Sequence, residues 1–230
     1  MEYVTTLGFV LQDIFTGAKG ALLWYGLIET LQMVIVSLFL GIVFGLPLGT
    51  LLFASSPKGI KPHRGFYEGL SFFINSARSI PYIILTILLI PMTRFCIGAA
   101  IGTSAAIFPL TLAAILLIAR VSEDALLNLP RTFIEIGQSM GATSFAIIRK
   151  ILLPEALPSL VIQFTTIAIN LVGFSAMAGT VGGGGLGDLA IRFGHQRYDV
   201  TLVVFIVIIL IILVQLIQML GNALAFRLRK

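Results

Sequence analysis

Residues 200–226 read VTLVVFIVIILIILVQLIQMLGNALAF, without one charged side chain, and Arg227 follows at once. About 20 apolar residues rising about 1.5 Å each cross a hydrocarbon core of about 30 Å, so this stretch is long enough for a transmembrane helix. Working outward, residues 30–57, 95–119 and 156–187 are uncharged runs that also exceed that length. A fifth run, residues 67–90, is interrupted only by Glu68 near its start and Arg78 inside it. The expected fold is an all-α membrane protein with five transmembrane helices. The first helix can begin as early as Ala21, because Trp24 and Tyr25 suit an interfacial belt, with Glu29 near the membrane edge or facing protein. Composition agrees: 11% of the 230 residues are charged and 58% are hydrophobic, where a soluble domain carries about 25% charge. Disorder, collagen-like repeats and a disulfide-stapled secreted scaffold are excluded.

Positive charge sorts by loop, because short cytoplasmic loops retain Lys and Arg. Lys58, Lys61 and Arg64 follow the first run; Arg120, Arg131, Arg149 and Lys150 lie between the third and fourth; Arg227, Arg229 and Lys230 close the chain. These ten face Lys19, Arg94, Arg192 and Arg197 on the other side. The N-terminus is therefore expected outside and the C-terminus in the cytoplasm. Residues 1–20 open with Glu2 rather than a basic n-region, which argues against a cleaved signal peptide and for an outer interfacial segment. No internal repeat or low-complexity linker is evident, so residues 1–230 form one transmembrane domain in the simplest account.

The net charge of +5 comes in short clusters between uncharged runs, not as a stripe on a polar face, so nucleic acid is not an expected partner. Cys96 is the only cysteine and no Cys/His cluster exists, so no disulfide and no metal site are expected. Cys96 reads as a small apolar residue, and His63 and His195 as solvated or packed side chains. The glycine cluster at residues 182–187 lacks the lysine and hydroxyl of a phosphate loop, and no such loop occurs elsewhere. It reads as a flexible turn beside a protein-lined cavity. No catalytic residues are expected, since no paired-acid or Ser/His/Asp arrangement is present.

Residues 120–155 are the one sizeable polar insertion, written as two short helices. Pro130 suits a first turn, Gly141 the left-handed position after a helix end, and Thr143 the cap of a second helix that Pro154 is expected to stop. Ile136, Met140, Ala142 and Phe145 can form an apolar ridge for a partner pocket, with Gly141 allowing sharp chain reversal and close approach. Taken alone, the same pattern also suits a juxtamembrane hairpin packed on the chain's own helix ends.

Glu135, then Gly141 six residues on, then Ile151, Leu153 and Pro154 resemble the Glu-Ala-Ala coupling loop of ATP-binding-cassette importer permeases. Ile136 and Gly137 stand where that loop has two alanines. A wider resemblance, to the methionine-importer permease family, rests on Arg78-Ser79-Ile80-Pro81-Tyr82, on Leu153-Pro154-Glu155-Ala156-Leu157-Pro158, and on Ser175-Ala176-Met177-Ala178-Gly179 with residues 181–188. It implies a type I importer permease fold in a bacterial cytoplasmic (inner) membrane, working as a homodimer. It also implies two cytoplasmic ATPase subunits that bind the ATP and Mg, an external methionine-binding protein or lipoprotein, and no cofactor in this chain.

Gln163, Thr166, Asn170, Gly173 and Met177 are spaced by three and four residues, which puts polar and small side chains on one helix face. That face can line a solute path or act as interhelical glue. Met177, just before the glycine-rich stretch, suits a gate because an unbranched thioether closes a gap without demanding one rotamer; filling a packing gap is the competing role. Arg78, an intramembrane cation, either meets a substrate carboxylate, binds carbonyls freed near Pro81, or pairs with Glu29. An importer of another small amino acid or organic solute, and an ATPase-independent channel or scaffold, are the competing functions.

The charge split makes a topological prediction. A cysteine replacing Lys61 or Arg131 resists an impermeant thiol reagent in intact cells, while one replacing Arg197 reacts; the reverse pattern overturns the orientation.

Overall fold

The computed structural model describes residues 17–228. The expected outer segment at residues 1–20 lies almost wholly outside the described residues, and helix has already begun at Ala18. The chain forms α1 (Ala18–Ser55), α2 (Arg64–Arg78), α3 (Tyr82–Ile97), α4 (Thr103–Leu127), α5 (Thr132–Ser139), α6 (Ser144–Ile147), α7 (Leu153–Thr180), α8 (Gly185–Leu189) and α9 (Val200–Leu228). Wide π turns, Ile148–Leu152 and Ala190–His195, join α6 to α7 and follow α8. Among the described residues four helices are long and apolar enough to cross a bilayer, and α2 with α3, bent by 103° at their break, count as a fifth when the pair is taken as one broken span.

Several boundaries differ from expectation, each for a backbone reason. The run 67–90 is not straight, because Pro81 donates no hydrogen bond and disfavours helix in the residue before it. The run 95–119 is not one span: Gly98 (φ 80°) and Gly102 (φ 103°) turn the chain before α4 starts at Thr103. At its far end α4 continues through charged residues to Leu127, since Arg120 Nη1 donates to Glu123 Oε2 at 2.6 Å and Glu123 is fully buried. The run 156–187 ends as helix at Thr180, where left-handed glycines begin. Pro154 does not stop the second short helix of the 120–155 segment. The i→i−5 bond from the Leu153 N–H to the Ile148 carbonyl absorbs one extra residue just ahead of it, and helix runs from Ser144 to Thr180.

The framework is the contact of α1 with α4. Gly41, Gly45 and Gly49 repeat every four residues and so lie along one face of α1. A Cβ at Gly45 would stand 2.8 Å from the Ile115 carbonyl oxygen, and one at Gly49 2.3 Å from that of Ala119. The two backbones are in direct contact. In lipid, where apolar burial does not drive helices together, such close van der Waals packing takes its place. Around this seam lies the central core of Met33, Leu110, Ala114, Ile118 and Leu171. At one end of the bundle Phe53, Leu126, Ile134, Ile147, Leu152 and Leu160 form a second cluster; at the other, Leu23, Leu186, Leu189, Leu202 and Ile206 form a third. The first of these is called the basic end below, because Lys58 and Arg131 line one cavity there. The other is the glycine-rich end.

Helix ends are satisfied locally. After α1, the N–H groups of Ser56, Lys61 and His63 donate to the carbonyls of Phe53, Ala54 and Ser55 at 3.2, 3.0 and 2.9 Å. His63 Nδ1 accepts the Phe66 N–H and so caps α2.

Gly49→Val forces a branched side chain against the Ala119 carbonyl and is expected to cost about 1–3 kcal/mol. Thermal unfolding of the purified protein should show a lowered midpoint, while Gly69→Ala, whose Cβ meets open space, should leave the midpoint unchanged or raise it.

Candidate functional site

At the basic end the 128–143 segment builds a rigid turn. The N–H of Ala142 donates to the Gly137 carbonyl at 3.0 Å and that of Gly141 to Gln138 at 2.9 Å, with Gly141 at φ 68°. This is a Schellman closure of α5, in which glycine avoids the left-handed strain of a Cβ. Thr143 Oγ1 accepts the Ala146 N–H at 3.3 Å and caps α6, as its position predicts. Close approach, however, occurs at Gly137 rather than Gly141: a Cβ on Gly141 meets nothing within 4 Å, whereas one on Gly137 would be 2.7 Å from Ile147 Cγ1. Gly137, one of the two departures from the alanine pair, is what lets α5 lie tightly on α6.

The turn divides its side chains cleanly. Ile134 and Ile147 enter the buried cluster with Phe53, Leu152 and Leu160. Ile136, Met140 and Phe145 stand out at 51, 78 and 70% exposure, with Ala142 half-buried between them. Glu135 is exposed, 3.9 Å from Arg131. Ile151 is half-buried and Pro154 exposed on the helix that leads into α7. The predicted ridge is therefore a free apolar surface mounted on a packed base, and the base is continuous with α7.

Along α7, Thr166, Asn170, Gly173 and Met177 are exposed and Gln163 is half-buried, so the predicted stripe faces outward from this chain. Gly173 has open space beside it. Thr166 Oγ1 donates back to the Ile162 carbonyl at 3.2 Å, which is local satisfaction rather than a tie to another helix of the chain. Arg78 is exposed at the end of α2 and makes no hydrogen bond or ion pair among the described residues. Neither the expected carbonyl contacts nor the pairing with Glu29 is present. Instead Arg78 lines a cavity of about 60 Å³ with Tyr82, Leu85, Ala113 and Phe174. Tyr82 stacks on Phe174 with centroids 4.7 Å apart, tying α3 to α7 next to Gly173. The buried Tyr82 hydroxyl has no partner among the described residues.

Glu29 is occupied at the glycine-rich end. Its Oε2 accepts the Gly185 N–H at 2.7 Å, and Thr30 Oγ1 accepts the Leu186 N–H at 3.0 Å. Two N–H groups of α8 are thus held by side chains of α1. The glycines around them are required by space and conformation. Gly184 and Gly185 both have φ 78°, and a Cβ on Gly187 would lie 2.4 Å from the Ala176 Cα and carbonyl oxygen. Gly102 donates to the Gly182 carbonyl at 2.9 Å, joining the two irregular segments. Asp188 pairs with Arg192. Asp199 caps α9 through the Leu202 N–H and meets Lys19 at 3.0 Å; the ammonium and that N–H hold its carboxyl below the usual carboxylate range. The tie is present at neutral pH and is lost only as pH falls through that lowered value.

Sequence reading missed three of these features. The four-residue glycine repeat of α1 was a visible signal. The Glu29–Gly185 bond joins residues 156 apart, and no spacing rule connects them. Nor does spacing foretell the stacking of Tyr82 on Phe174. Cys96 and His195 are exposed, and among the described residues no three His, Cys, Asp or Glu side chains are grouped to hold a metal ion.

Comparison with known proteins fits this architecture. Residues 41–230 match the family described as binding-protein-dependent transport system inner membrane component. The chain is 47% identical over 200 residues to the probable D-methionine transport system permease protein MetI of Vibrio cholerae, covering 87% of this chain and 89% of that one. It is 50% identical over 158 residues to the D-methionine transport system permease protein MetI of Escherichia coli K12, covering 69% and 73%. Among solved structures, an inward-facing conformation of the MetNI methionine ABC transporter superposes with a TM-score of 0.91 at 45% identity, covering 92% of this chain and 98% of that one. An amino acid ABC transporter crystallised with histidines shares the fold at a TM-score of 0.74 and 20% identity, covering 91% and 95%.

Removing the Glu29 acceptor tests the glycine-rich end. Glu29→Ala leaves the Gly185 N–H without its partner and should cost about 1–3 kcal/mol. Glu29→Gln keeps a carbonyl acceptor at the same reach and should recover most of that loss in the same thermal unfolding measurement.

Proposed function

The chain belongs to the family of binding-protein-dependent transport system inner membrane components, and from that premise we propose that it is the permease subunit of an ATP-driven methionine importer. It is a multi-pass inner membrane protein and is not itself an enzyme; the ATPase of such a transporter is a separate chain. Two permease copies assemble with ATPase partners, which bind the ATP and Mg. An external methionine-binding protein delivers the solute to the glycine-rich end, with the N-terminus outside and the C-terminus cytoplasmic. Methionine rather than another small amino acid is supported by the relatives at 47 and 50% identity, both D-methionine transport system permease proteins.

One observation carries the coupling reading: the apolar ridge of Ile136, Met140 and Phe145 is exposed, while the opposite face of the same turn is packed into the cluster that holds α1, α4 and α7. A partner that grips the ridge moves that cluster, because close-packed interiors transmit displacement rather than absorb it. Glu135, Gly141, Ala142, Ile151 and Pro154 shape this lever. The outward face of α7, from Gln163 through Thr166, Asn170 and Gly173 to Met177, forms the solute path where two copies meet. Arg78, without a partner among the described residues and lining one cavity with Tyr82 and Phe174, offers the substrate carboxylate a guanidinium.

Reconstitution of the permease with its ATPase and the binding protein in proteoliposomes tests the assignment. Methionine should stimulate ATP hydrolysis and accumulate inside; stimulation by a different solute with no response to methionine contradicts the substrate, and no response of the ATPase to any permease contradicts the coupling. In the same vesicles Met177→Ala should leave assembly and thermal midpoint nearly unchanged while making transport leaky. If Met177 instead packs the core, truncation costs about 2–5 kcal/mol and the vesicles stay tight.

A further inference from the structure

Behind the coupling ridge lies a cavity of about 250 Å³ whose floor is apolar, with Phe53, Leu126, Leu152 and Ile134, and whose rim carries Lys58 and Arg131. It opens where α1 and α4 end, beside the loop that follows α1. We propose that this cavity binds an acidic phospholipid, its phosphate between Lys58 and Arg131 and the start of its acyl chains on the apolar floor. The exposed ridge residues Ile136, Met140 and Phe145 are not among those lining the cavity. Ile134 lines the cavity, whereas Ile136, two residues on, lies on the opposite side of α5 and Met140, just past the helix end, is exposed.

Charge complementarity selects the ligand. Both cations are exposed, so a phosphate reaches them without being stripped fully of water. The sole acid near either of them among the described ion pairs is Glu135, 3.9 Å from Arg131 with 76 and 64% of the two side chains exposed. Such an exposed pair is weak and leaves the guanidinium free to bridge. A purely polar anion gains nothing from the Phe53 and Leu126 surface, and a zwitterionic lipid gains less from the two cations because its tethered ammonium offsets the phosphate charge. An acidic phospholipid satisfies both, as basic clefts between helix ends at the cytoplasmic face do generally. Occupancy would brace the packed side of the coupling turn, so the inference is independent of which solute is carried.

The test uses the full-length permease purified with its ATPase, delipidated in detergent and titrated with phosphatidylglycerol while bound lipid is counted by native mass spectrometry. Wild type should retain one phosphatidylglycerol per permease copy. Lys58→Gln/Arg131→Gln should bind it about tenfold more weakly or worse, given roughly 1 kcal/mol per basic residue near a membrane surface. Lys58→Arg/Arg131→Lys, which keeps both charges, should bind like wild type. The single change Lys58→Gln, on an exposed loop, is read the same way and keeps the test decisive if the double variant fails to assemble. Equal binding by wild type and the charge-removed variants overturns the proposal. So does phosphatidylcholine retained as well as phosphatidylglycerol, or displacement of the lipid by excess inorganic phosphate, which would mark a phosphate site instead.

Discussion

Direct backbone contact between α1 and α4 is the constraint from which the other arrangements follow. Gly41, Gly45 and Gly49 leave about two turns on one face of the 38-residue α1 without side chains, and the Ile115 and Ala119 carbonyls of α4 take that space. Contact this close fixes both the rotation and the slide of one helix on the other, because larger side chains would hold them apart. Once α1 is placed, its two ends are placed with it. Glu29 and Thr30 arrive under α8, and Phe53 arrives under the turn between α5 and α6. A single rigid pair thus reaches from the glycine-rich end to the basic end.

The second governing condition is that backbone polar groups within a bilayer find partners inside the protein. Helix satisfies them along the spans, and the hydroxyls of Thr30, Thr86, Thr165 and Ser175 bond back to carbonyls three or four residues earlier. At the glycine-rich end the irregular backbone is answered group by group: Gly185 by Glu29, Leu186 by Thr30, Gly102 by the Gly182 carbonyl and Gly183 by the Ala178 carbonyl at 2.9 Å. An intramembrane carboxylate that first looks like a candidate partner for Arg78 is in fact the cap of a short helix. Among the described residues Arg78 has no ion-pair partner, and it lines one cavity with Tyr82, whose buried hydroxyl also lacks a partner there.

Much of this was legible in the residues, and the misreadings share one cause. Uncharged length located the helices α1, α4, α7 and α9, and the αL glycine and Thr143 cap of the coupling turn stood at their predicted positions. Charge counting failed at helix ends, since it cannot see backbone. Gly98 and Gly102 break an uncharged run, while α4 carries Arg120 and Glu123 onward because the two neutralise each other. Pro154 passes because a π turn lies just ahead of it, a device with no composition signature. The exposed stripe on α7 was readable from periodicity; its nearness to Arg78 through Phe174 required the fold.

Coupling, in this account, is the transfer of displacement from an exposed apolar ridge to a packed cluster. The most direct measurement places a photoreactive phenylalanine analogue at Phe145 and, separately, at Phe95, which is 90% exposed on α3 far from the turn. Irradiation of membranes containing the assembled transporter should yield an adduct with the ATPase from position 145 and none from position 95. Absence of an adduct at 145, or equal adducts at both positions, would contradict the ridge as the place where ATP hydrolysis enters this protein.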